Sequence, residues 1–173
     1  LGVTGLKLIL AAVLVAVNAF FVIAEYALVR SRRARLEVMR EQDMRGAALA
    51  LRQLERINDY ISAVQIGVTM TSIGIGALAT PTLANALREA FGGGGISHDV
   101  TVVIAVVIAY AIVISVQLIF GEMVPKFYAI DRAESVARRI AGPLQGFAVL
   151  FRPMIHATTT VSARMLKRLG VDM

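Results

Sequence analysis

The sequence predicts an all-α membrane protein of three transmembrane helices, with amphipathic juxtamembrane helices on the cytoplasmic side. Three observations carry that prediction. Hydrophobic residues make up 57% of the 173 and charged residues only 17%, against about 25% charged in an ordinary soluble domain. Residues 100–120 contain no charged side chain, and a hydrocarbon core is crossed by about 20 apolar residues. The Lys and Arg residues are gathered into two blocks instead of being spread along the chain.

With spans at about 6–29, 58–80 and 99–120, the first block is Arg30, Arg32, Arg33, Arg35, Arg40, Arg45, Arg52 and Arg56. The second lies wholly after residue 120. Only Lys7 precedes the first span, and only Arg88 lies between the second and third. Cytoplasmic flanks carry the excess of basic residues, so the N-terminus and the Gly92–Gly95 loop are expected outside and the C-terminus in the cytoplasm. The net charge of +6 is therefore read as topology first and as attraction to anionic lipid second. It is not read as a nucleic-acid signature. One domain covering 1–173 is expected, in the plasma membrane.

The first apolar run carries Asn18 and Glu25, seven residues and about two turns apart, on one face. It runs into Arg30-Ser31-Arg32-Arg33 and reads as an uncleaved anchor. Residues 31–56 alternate charge with an apolar stripe of Leu36, Met39, Ala47, Leu51 and Leu54, with a break at Gly46. That pattern suits one or two interfacial helices. The second run is polar for a span: Gln65, Thr69 and Ser72 share a face beside Gly67, Gly74 and Gly76. Small and hydroxyl residues of this kind belong at helix–helix contacts. A separate short helix is expected over 82–91, ending at the glycines. Beyond Pro125 the spacing predicts an interfacial helix over 127–140, broken by Gly142-Pro143, and a last helix over about 154–169. A fourth span through 143–165 is the alternative, and it would place the basic C-terminus outside, against the charge rule.

Gly121-Glu122-Met123-Val124-Pro125-Lys126 is the stretch that carries chemistry. Pro125 has no N–H, and its ring clashes with the carbonyl four residues back, at Gly121. A freed backbone oxygen then lies next to the Glu122 carboxylate at membrane depth, where unsatisfied polar groups are costly. Oxygen donors and a carboxylate are what a hard cation binds. The alternative for Glu122 is an interfacial carboxylate paired with Lys126. Glu25 either lies along an ion path or pairs with Arg30, Arg32 and Arg33. Asn18 either serves the site or hydrogen-bonds another helix. Thr69 and Ser72, like Ser115 and Gln117, are site candidates or packing contacts. His98 and His156 have no partner at metal-ligand spacing and read as surface or packing residues. There is no cysteine, and no G-x-S-x-G, H-E-x-x-H or phosphate loop. An enzyme is not expected.

Three stretches together carry a resemblance. The run Asn18-Ala19-Phe20-Phe21-Val22-Ile23-Ala24-Glu25-Tyr26-Ala27-Leu28-Val29-Arg30 resembles the opening of the CorC/cyclin M (CNNM) magnesium transporters. Residues 60–72 resemble their second span, and the Gly121–Lys126 stretch looks like their most recognisable motif. The resemblance implies a homodimeric three-span domain that precedes a cytosolic pair of CBS domains, expected to lie outside residues 1–173. It implies a Mg²⁺ site between the spans that uses Glu122, with the Gly121 carbonyl beside it. Ala24 and Val68 stand where many relatives have Ser and Asn, so Thr69, Thr71, Ser72 or water would fill those places. The function expected is membrane transport of Mg²⁺, by export, with Na⁺ as a coupled or alternative ion. The competing reading is a non-transporting scaffold that senses the ion or regulates another transporter.

Overall fold

The computed structural model describes residues 2–91 and 98–168; the expected glycine loop and the end of the last helix lie outside them. These residues form α1 (Val3–Arg30), α2 (Arg33–Glu41), α3 (Ala47–Glu55), α4 (Ile57–Phe91), α5 (His98–Val116), a π-helical segment (Gln117–Met123), α6 (Val124–Asp131), α7 (Ala133–Leu150) and α8 (Arg152–Arg168). No strand occurs among them. Three stretches are long and apolar enough to cross a membrane: Val3–Arg30, Ile57–Phe91 and His98–Asp131. This is a multi-pass, all-α membrane protein.

Two expected helix breaks do not occur. The second long helix continues through Pro81 to Phe91 in place of stopping near residue 80. Pro81 removes one backbone donor, but Ala79, Thr80, Thr82 and Ala84 are buried around it, and packing holds the helix through the proline. The Thr82 hydroxyl donates to the Leu78 carbonyl at 2.6 Å. Likewise α7 runs through Gly142-Pro143, with Ala141 and Leu144 fully buried on either side. Burial on both sides outweighs the local preference to break.

The contacts divide the chain into two compact units: Leu1–Phe20 with Val68–Pro125, and Phe21–Gly67 with Lys126–Met173. In the first, Ala11, Ile75 and Ala79 form a small core with Leu14, Val15, Leu78 and Val113 packed on it. The inward residues of the third apolar stretch recur every four positions: Thr101, Ala105 and Ala109 are buried, then Gly121 and Pro125. A spacing of four drifts about 40° per step around an α-helix. The π segment, with its i→i+5 bonding and wider turn, rotates the stripe back and keeps Gly121 facing inward.

In the second unit, α2 and α3 fold back on each other. Gly46 makes the reversal at φ 83, a region that residues with a Cβ rarely adopt. Leu36, Ala50, Leu51, Ala129, Val136, Ala137 and Ala141 form its core. The buried Gln53 amide donates to the Ala141 carbonyl at 2.7 Å. The Glu134 carboxylate accepts from the Arg32 backbone N–H at 3.2 Å, at the start of α2, and lies 3.8 Å from the Arg35 guanidinium. Arg33 reaches Glu37 at 2.9 Å and Glu55 at 3.1 Å. The hydrogen bond to Glu37 and then the charge of Glu55 hold the Arg33 guanidinium above its usual range, though such exposed pairs contribute little to stability. Ile155 anchors the start of α8 against Ala63 and Ile66, with Phe147, Ala148 and Phe151 around it.

Candidate functional site

The first unit brings polar groups from three helices together around the π segment. Asn18, on α1, is fully buried. Its Nδ2 donates to the Gly121 carbonyl at 3.1 Å, and its Oδ1 accepts from the Thr71 hydroxyl of α4 at 2.7 Å. The sequence makes the Gly121 carbonyl available. An α-helical bond to it would come from residue 125, which is proline and has no N–H. The helix answers by widening: Val124 N–H reaches back five residues to Ile119. Glycine at 121 also clears the approach, since a Cβ there would stand 3.2 Å from Asn18 Nδ2. One turn away, Gln117 Nε2 donates to Ser72 Oγ at 2.8 Å.

Glu122 follows Gly121 in the π segment and is partly exposed. No hydrogen bond or ion pair engages its carboxylate among the described residues. The pairing with Lys126, set out as its alternative, is not formed: the Lys126 ammonium lies 4.7 Å from the centre of the Tyr26 ring. No group of three or more His, Cys, Asp or Glu side chains is placed to hold a metal ion among the described residues. The donors assembled here are neutral oxygens with one carboxylate next to them in the chain.

The other sequence candidates separate. Glu25 belongs to the second unit, about 10 Å further along α1 than Asn18, and the charge acting on it there is Lys126. Arg33, one of its expected ion partners, is engaged with Glu37 and Glu55. Thr69 is on the exposed side of α4, while Thr71, two residues on, is buried and bonds Asn18. Ser115 donates to Ala111 in its own helix at 2.7 Å. Gln117 carried a signal in the sequence, as a polar residue one turn before Gly121 in an uncharged run. Its partner could not be read there.

The Asn18 amide links α1, α4 and the π segment, and its loss is measurable. Asn18→Ala leaves the Gly121 oxygen without that donor and is expected to cost about 1–3 kcal/mol. Thr71→Val costs less, because it removes one bond of the pair. The double variant costs less than the sum of the two, since both remove the same link. Thermal unfolding of the purified variants in detergent tests this; strict additivity would show that the two side chains do not act together.

Comparison with known proteins decides the family. The family model of the cyclin M transmembrane N-terminal domain matches residues 9–173. The chain belongs to the cyclin M family. Among its relatives, the UPF0053 protein YhdT of Bacillus subtilis is 38% identical over 160 residues, covering 92% of this chain and 34% of that protein. The Bacillus subtilis UPF0053 protein YhdP is 33% identical, covering 96% and 37%. The Mycobacterium tuberculosis protein Rv1841c is 34% identical, covering 95% and 46%. This cyclin M domain thus spans under half the length of these relatives.

Proposed function

We propose that this cyclin M domain carries Mg²⁺ across the membrane through a site made by the Asn18 amide oxygen, the Gly121 carbonyl and the Glu122 carboxylate, with Thr71 and Ser72 beside them. One observation carries the reading. A backbone oxygen that Pro125 leaves without its α-helical donor is held by a buried Asn18, in the π turn that also bears a carboxylate with no protein partner among the described residues. A single carboxylate with neutral oxygens suits Mg²⁺, which keeps several of its waters and takes one or two carboxylates; Ca²⁺ would require more protein oxygens. Asn18, the Gly121 carbonyl and Thr71 are bonded to one another as they stand, so binding an ion requires α1, α4 and the π turn to shift. Such a rearrangement fits alternating access.

Export in exchange for Na⁺, a homodimer and a following CBS pair rest on the family resemblance. The N-terminus outside, the C-terminus in the cytoplasm and the plasma membrane as location are supported by the two basic blocks. The mutual bonding of the donors also suits the second reading, a sensor whose helices move on binding without passing the ion. Proteoliposomes loaded with a Mg²⁺-sensitive dye separate the two. Transport predicts Mg²⁺ flux that Asn18→Ala slows and that a Na⁺ gradient drives. Binding without flux would leave the sensor.

A further inference from the structure

Helix α8 of the second unit leaves large apolar side chains exposed along one side. Intervals of seven and four residues place Met154, Val161 and Met165 within an arc of about 40°, with Thr158 between them along the axis. They are 45%, 54% and 62% exposed, although α8 is anchored at Ile155. Arg152, His156 and Lys167 lie on the opposite side, Arg164 on a flank, and Arg168 ends the helix beside the stripe. No Asp or Glu occurs anywhere in the helix. The anchor sits against Ala63 and Ile66 of α4, about 9 Å inside the start of that membrane-length helix. The free part of α8, from His156 onward, is about 20 Å long.

We infer that α8 lies on the surface of an anionic bilayer, its Met154–Val161–Met165 stripe in the acyl boundary and its basic residues among acidic headgroups. A basic helix with one apolar face binds in this way. The charge fits one occupant: four cationic side chains and no carboxylate repel a basic partner and are drawn to acidic lipid. The position fits as well, because α8 is tethered to a helix of membrane-spanning length. The inference needs only that the domain is embedded and does not depend on which ion it moves.

The chain contains no cysteine, so Val161→Cys and Ala163→Cys each give a single site for a polarity-sensitive fluorophore, on the apolar and the polar side respectively. The labelled chain is placed in nanodiscs of phosphatidylcholine with or without phosphatidylglycerol. Nitroxide-bearing lipid is expected to quench the label at 161 and spare the one at 163 when phosphatidylglycerol is present. Arg164→Gln and Lys167→Gln should each shift the docked-to-undocked ratio about fivefold toward undocked at low salt. Equal quenching in neutral and anionic discs overturns the headgroup assignment. Access of aqueous iodide to both labels overturns docking altogether. A label at 161 shielded from both iodide and nitroxide lipid overturns it in favour of a protein partner on that face.

Discussion

Glu122→Gln is expected to abolish stabilisation of the domain by Mg²⁺ while leaving the ion-free protein folded. Gln keeps the shape of the side chain and one carbonyl oxygen, and removes a single negative charge. Two unit charges 4 Å apart interact by about 4 kcal/mol at an effective dielectric of 20, and a divalent ion doubles that, so losing the carboxylate should weaken binding by at least roughly 10³. At a Mg²⁺ concentration about 100 times the parent Kd, the parent gains about 2.7 kcal/mol; the variant then sits well below its own Kd and gains almost nothing. Glu122 makes no hydrogen bond or ion pair among the described residues. The ion-free unfolding temperature should therefore stay near that of the parent, as it does for substitutions away from structural contacts. A thermal titration in detergent reads both quantities. Equal stabilisation of parent and variant would remove Glu122 from the ligand set, and a lower ion-free stability would mean that the carboxylate has a structural partner.

Gly46→Ala should give the largest loss of stability in the second unit. At φ 83 an Ala pays about 1–2 kcal/mol for the left-handed backbone. Its Cβ would also be driven into the Arg138 backbone carbonyl, which cannot rotate away as a side chain end could. Overpacking of this kind costs about 1–3 kcal/mol. The two together predict a loss of about 2–5 kcal/mol. Shifting α7 to relieve the clash would also disturb the Arg138 guanidinium where it donates to the Arg45 carbonyl at 3.3 Å. Gly142→Ala is the control. It lies inside α7 with nothing within 4 Å of a Cβ and no positive φ, so the better helix former should be neutral or stabilise by up to about 1 kcal/mol. Thermal unfolding of the two variants compares them directly, and equal effects would mean that the α2–α3 reversal does not hold Gly46 in its strained form.

Much of this molecule could be read from residue order. The apolar runs around residues 6–29, 58–80 and 99–120 announce three membrane helices, because a bilayer demands length and apolarity, which are local properties. Gly121 and Pro125 announce a disturbed backbone beside Glu122, because the missing proline N–H acts four residues away in the same helix. Asn18 is legible as a polar residue that must find a partner in an apolar setting. Tertiary structure decided the rest. Thr69 and Thr71 differ by about 200° around α4, and only the helices packed against α4 determine that Thr71 is buried and bonds Asn18. Asn18 and Glu25 share a face of α1 by angle, yet the rise between them puts them in separate compact units. Pro81 and Gly142-Pro143 read as breaks because local preference disfavours helix there, and buried neighbours override it. The π turn is a compromise between a backbone without a donor at 125 and a stripe that must stay inward. The sequence states the first condition; only the packed helices impose the second.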